Sequence, residues 1–161
     1  MKKSGFTLIE LLISLTLVAF LGSLGLGTYV QFNRRQILNN VVRGLVSDLR
    51  LAQSKAQSGE RPPDSSCQGD LLDYQVSISF VDSLSYSIVA NCSGSQNILI
   101  KSGPTINSEV IKESGFNYVK FMTLRRGAET SPPEEDSLVL RLRTSGETRT
   151  ISIGPAGEIS F

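Results

Sequence analysis

Between Lys3 and Arg34 the chain carries a single charged residue, Glu10, inside an otherwise apolar segment. No other feature constrains the fold as much. Leu11–Val30 is a run of about 20 uncharged, mostly apolar residues, enough helix to cross a hydrocarbon core of ~30 Å. A carboxylate inside such a helix costs roughly 2.5–3.5 kcal/mol on insertion scales, so Glu10 points to a function. In an ordinary secretory signal the small-residue cleavage site follows the apolar core. Here Ser4-Gly5-Phe6 follows the basic pair Lys2-Lys3 directly and precedes the core. Cleavage at that point would leave the apolar segment on the mature chain.

The residues Gly5-Phe6-Thr7-Leu8-Ile9-Glu10 resemble the processing site of type IV pilins and of the related pseudopilins of type II secretion. The resemblance implies that a prepilin peptidase cuts between Gly5 and Phe6 and methylates the new amino terminus at Phe6. It implies that the helix anchors the subunit in the bacterial inner membrane, single-pass, with the rest of the chain outside the cytoplasm. The same helix would later pack in the core of a filament, where Glu10 would meet the free N-terminal amine of a neighbouring subunit. The implied partners are the prepilin peptidase, homologous pilin or pseudopilin subunits and an inner-membrane assembly platform. Gly22, Gly25 and Gly27 would permit close helix–helix approach in lipid. The GSLGLG pattern there is not a phosphate loop, because no strand precedes it and no lysine follows.

Beyond Val30 the helix continues but changes character. Ile37, Leu38, Val41, Val42, Leu45, Leu49, Ala52 and Ala56 fall at helical spacings, with Arg34, Arg35, Asn39, Arg43, Asp48, Arg50 and Lys55 between them. That is an amphipathic stripe whose apolar side packs on a domain. Ser58-Gly59, followed by Pro62-Pro63, marks the stop. A helix from Phe6 to Ser58 would be roughly 80 Å long.

From Leu71 the period changes to two. Tyr74, Val76, Ile78 and Phe80 alternate with polar residues, and Tyr86, Ile88 and Ala90 repeat the pattern. Further strands are expected at Asn97–Lys101, Val110–Glu113, Asn117–Leu124, Leu138–Arg143, Thr148–Ile153 and Glu158–Phe161. Short strands parted by Ser, Gly, Asn and Asp read as one antiparallel sheet or two small packed ones. Leu138, Leu140 and Leu142 should face a core, with Arg141 and Arg143 opposite. Tyr74, Phe80, Tyr86, Phe116, Tyr118 and Phe121 are expected in that core. Gly127–Asp136, with Pro132-Pro133 and the acids Glu134, Glu135 and Asp136, reads as an exposed loop.

The fold class expected is therefore α+β: a long N-terminal helix, transmembrane in its first half and amphipathic in its second, on a small antiparallel β-domain of pilin-like type. The expected divisions are a leader at 1–5, a membrane or filament-core half-helix at 6–30, an amphipathic half at 31–58 and the β-domain at 59–161. Cys67 and Cys92 both lie in the part that would face an oxidising compartment, where a disulfide persists. A bridge would close a loop of about 24 residues and contribute roughly 3 kcal/mol. Two free thiols or a metal site are the alternatives, and a metal would want more ligands than a chain without histidine offers.

The absence of histidine also removes Ser–His and Cys–His catalysis, and no carboxylate pair stands out by spacing, so no catalytic residue, metal or cofactor is expected. Without Lys2 and Lys3 the 16 basic residues fall to 14 against 15 acidic ones. That balance gives no electrostatic signature of nucleic-acid binding. Asp48–Ala56 and Gly154–Ile159 resemble the helix end and the closing strand of H-type pseudopilins and FimT-like minor pilins. The tail Gly157-Glu158-Ile159-Ser160-Phe161 departs from the basic tail of some FimT-like proteins. The resemblance implies a structural subunit, a minor pilin or pseudopilin. The alternative is a membrane-anchored binding module, such as an adhesin or a DNA-uptake pilin, whose β-domain binds a ligand.

Overall fold

The computed structural model describes residues 7–62, 66–79, 85–104, 106, 108–125 and 127–161, without the side chains of residues 23–28 and 125. Phe80 and Pro63, placed above in a strand and at the helix stop, lie outside the described residues. The elements form two compact units, Met1–Ile37 and Leu38–Phe161. The helix α1 runs Leu8–Ser58, so its stretch from Leu38 counts with the strands rather than with the apolar segment.

The helix ends as its sequence dictates. Gly59 takes a positive φ of 64°. Its N–H donates to the Ala56 carbonyl at 3.2 Å, and the Glu60 N–H donates to Lys55 at 3.1 Å. These are the two bonds of a Schellman cap, which satisfies carbonyls the last turn would otherwise leave open.

Among the described residues nine strands follow: β1 Leu71–Ser79, β2 Ser85–Cys92, β3 Ser95–Ser102, β4 Val110–Gly115, β5 Tyr118–Met122, β6 Ala128–Ser131, β7 Ser137–Leu142, β8 Thr148–Ile153 and β9 Ile159–Ser160. They make two sheets. Sheet A has the order β3-β2-β1-β5-β6 and sheet B the order β4-β7-β8-β9. Every pairing is antiparallel. Gly115 closes β4 at a φ of +112°, where a Cβ would collide with the Ser137 carbonyl of the neighbouring strand. Only glycine suits that crossing.

The core of the second unit lies between helix and sheets. Leu38, Val42, Leu45, Leu49, Ala52 and Ala56 are buried, along with Tyr74, Val76, Ile88 and Phe121 of sheet A and Leu138, Leu140, Leu142, Ile151 and Ile153 of sheet B. Polar contacts tie the helix to both sheets. Gln53 Nε2 donates to the Gly157 carbonyl at 2.7 Å, and Arg149 Nε donates to Asn39 Oδ1 at 3.2 Å.

Two expectations need correction. Gly127–Asp136 is not loop throughout, because Ala128–Ser131 pairs with β5 in the register Tyr118↔Ser131 to Phe121↔Ala128. This edge strand has no run of large apolar residues, so periodicity could not reveal it; main-chain pairing with β5 holds it. Tyr118 is half-buried rather than core. It points away from the face of its neighbour Val119, and the Lys120 ammonium stands 5.4 Å from its ring.

Candidate functional site

Among its described residues, the first unit presents its large apolar side chains outward. Leu8, Ile9, Leu11, Leu12, Ile13, Leu15, Leu17, Val18, Phe20 and Leu21 are all exposed, as are Tyr29, Val30 and Phe32. Hydroxyl groups within it are turned back on the helix itself. Ser14 Oγ donates to the Leu11 carbonyl at 2.9 Å, and Thr16 Oγ1 to Ile13 at 2.8 Å. Such bonds satisfy the hydroxyls within the helix itself. Among the described residues no helix is long and apolar enough to cross a membrane. The span expected at Leu11–Val30 includes residues 23–28, whose side chains lie outside the description.

Glu10 stands in the first turn of the helix. Its Oε2 accepts the Thr7 backbone N–H at 3.0 Å and the Thr7 hydroxyl at 2.9 Å. In return the Glu10 N–H donates to Thr7 Oγ1 at 3.4 Å. This is a reciprocal capping box, with Thr7 as N-cap and Glu10 three residues into the helix. The sequence reading missed Thr7 as the partner of Glu10, although Thr7-Leu8-Ile9-Glu10 carries the capping pattern openly. Both Thr7 donors converge on Oε2, so the carboxylate is oriented by its own chain. Gly5 and Phe6, the residues flanking the expected cleavage, lie outside the described residues.

Cys67 and Cys92 are joined in a disulfide, with Cα atoms 5.6 Å apart. It ties the connection between helix and β1 to the end of β2. Backbone and side-chain bonds reinforce the join: Ser93 N–H to the Asp70 carbonyl at 2.9 Å and Gly94 N–H to Gln68 at 2.8 Å, and Asp70 N–H to Ser93 Oγ at 2.9 Å.

One polar cluster escaped the sequence reading. Asp48, buried on the helix, accepts the Tyr86 hydroxyl at 2.8 Å and the Lys101 ammonium at 2.6 Å. Burial, together with this carboxylate, pushes the Tyr86 hydroxyl well above the ordinary phenol range. The cluster fixes helix against β2 and β3 and keeps Asp48 paired.

Residues 1–26 match the prokaryotic N-terminal methylation motif, the signal of type IV pilins and pseudopilins. The motif supports processing of the chain by prepilin peptidase and implies assembly with other pilin subunits. No curated protein and no solved structure matches the chain.

Proposed function

We propose that this prepilin-peptidase substrate is a non-catalytic structural subunit, a minor pilin or pseudopilin, of a type IV pilus or a type II secretion pseudopilus. The observation that carries the reading is the join of that signal to a helix apolar on all sides with one oriented carboxylate. The chain is cut after Gly5 and methylated at Phe6. It is held in the inner membrane by Leu11–Val30 with its β-domain outside the cytoplasm, then drawn by an assembly platform into a filament. Within the filament, lipid is exchanged for the helices of neighbouring subunits. The capping box leaves Glu10 Oε1 available to the amine of a neighbour's Phe6. In a dry helix bundle either charge left alone is costly, so their pairing sets axial register.

The resemblance to H-type pseudopilins and FimT-like minor pilins rests on Asp48–Ala56 and Gly154–Ile159. In this chain the two stretches meet through the Gln53–Gly157 hydrogen bond.

The test is the intact mass and N-terminal residue of the protein from membranes of cells with and without prepilin peptidase. A chain beginning at N-methylated Phe6 only when the peptidase is present is the expected result. A chain that keeps Met1–Gly5, or is cut after the apolar run, overturns the reading. Glu10→Ala should be processed normally yet fail to enter filaments, and normal incorporation would remove Glu10 from the mechanism.

A further inference from the structure

We infer that Cys67 is the site at which the disulfide of this chain is made and broken: a partner carrying a reactive disulfide exchanges with the Cys67 sulfur, and Cys92, held inside the folded unit, completes the bond.

The two ends of the bridge sit in unlike surroundings. Cys92 is the last residue of β2 and is 0% exposed. Ile88, Ala90 and Cys92 stand at alternate positions and are equally buried, so Cys92 shares the sheet face that packs beneath the helix. β1 flanks it through the pair Leu71↔Cys92, and β3 through Cys92↔Ser95. Cys67 belongs to no helix or strand. It is half-buried, and Ser66, Gln68, Gly69 and Asp70 around it are exposed. A reagent arriving from solvent therefore reaches Cys67 before Cys92.

The approach of the two cysteines does not depend on the covalent link. Gly94 N–H donates to the Gln68 carbonyl at 2.8 Å and Ser93 N–H to Asp70 at 2.9 Å. Asp70 N–H donates to Ser93 Oγ at 2.9 Å, and Gln68 N–H to Ser95 Oγ at 3.3 Å. These bonds clasp residues 68–70 against residues 93–95 through groups that contain no sulfur. They hold the Cys67 and Cys92 Cα atoms at 5.6 Å, in the ordinary range for a bridge. The link can thus close on a unit that is already folded.

Exchange passes through a mixed disulfide, and its course depends on which sulfur can be reached. A cysteine buried among apolar groups is inert towards external reagents. The Cys67 thiol loses its proton to solvent, and its thiolate attacks the partner's disulfide. A Cys67–partner S–S bond forms, and one partner sulfur leaves as thiolate. Cys92 then loses its proton and attacks Cys67 Sγ. The Cys67–Cys92 bond forms, and the partner's second sulfur leaves. Two thiols of this chain are oxidised, and the partner's disulfide is reduced to two thiols. Reduction retraces the same path and enters at Cys67.

The full chain in detergent would be compared as Cys67→Ser and Cys92→Ser, each keeping one thiol. Glutathione disulfide would be the oxidant and intact mass the readout. Cys92→Ser should take up glutathione about tenfold faster than Cys67→Ser, or more, and the two rates should converge in urea. The parent chain reads the same order without a substitution. Reduced in the absence of denaturant and given limiting iodoacetamide, it should carry the label on Cys67, assigned by peptide fragmentation, with Cys92 labelled only in urea. Label on Cys92 of the folded parent, or shared equally between the two sulfurs, overturns the inference. So does equal uptake of glutathione by two variants that keep the near-ultraviolet signal of the parent.

Discussion

The helical stretches on either side of Ile37 are both rich in leucine and valine, yet they meet opposite fates. Leu15, Leu17 and Leu21 are exposed, while Leu38, Leu45 and Leu49 are fully buried. The difference lies in the residues between them. Arg43, Asn39 and Arg50 confine the second stretch to one apolar face, and the sheets of its own unit cover that face. From Leu8 to Leu21 the first stretch is exposed and apolar nearly all round, with no broad polar face to offer water. Its cover must come from other molecules, which is what an anchor or a filament core requires.

The strongest way to break this comparison is to truncate one leucine on each side. Leu49→Ala should cost about 2–5 kcal/mol of unfolding free energy, because it removes buried atoms and leaves a cavity. Leu17→Ala should change it by no more than about 0.5 kcal/mol. Urea unfolding in detergent, followed by the near-ultraviolet signal of the buried tyrosines, reads both. Equal effects would mean that the first stretch belongs to the same cooperative unit.

Asp48→Ala sharpens the picture of the second stretch. It strips the acceptor from the Tyr86 hydroxyl and the Lys101 ammonium, and should cost about 1–3 kcal/mol. A loss near zero would show that the packed leucines alone hold helix and sheet together.

Thr7→Ala tests the first stretch. Loss of the N-cap should destabilise the first turn by about 1 kcal/mol, while Thr7→Ser keeps it. Amide exchange at Leu8–Leu11 should quicken with no change in the urea midpoint. A shifted midpoint would contradict the separation of the two units.

The smallest effect is expected at Asp73. Burial holds its carboxyl above the ordinary 3.8, and the Asn91 amide, donating at 2.7 Å, pulls it partly back. A raised folded-state pKa favours the protonated form. Its contribution is complete below the unfolded value and is lost as pH rises through the folded one. The parent should therefore gain stability relative to Asp73→Asn as pH falls from neutral towards about 4. Parallel pH profiles for the two proteins would show that Asp73 is not desolvated in solution.

Much of the second unit was legible because its signals are local. The Ser58-Gly59 stop became a Schellman cap, and the alternation at Leu138–Leu142 became a strand with buried leucines and outward arginines. β6 was not legible, since Ala-Glu-Thr-Ser carries no period. At the N-terminus Glu10 stood out by charge alone, but its bond to Thr7 was overlooked although the spacing was in plain view. The Asp48 cluster was hidden for a different reason. Its partners Tyr86 and Lys101 are distant in sequence, and each looks like an ordinary strand residue.

By itself the sequence determined the methylation signal, the extent of α1, its stop and the change of period that makes the rest β. These follow from interactions among residues a few positions apart. The tertiary structure alone decided which strands join which sheet and which polar groups find each other across the core. Those outcomes depend on how distant segments compete for the same buried surface and the same hydrogen-bonding groups, and no local pattern encodes the result of that competition.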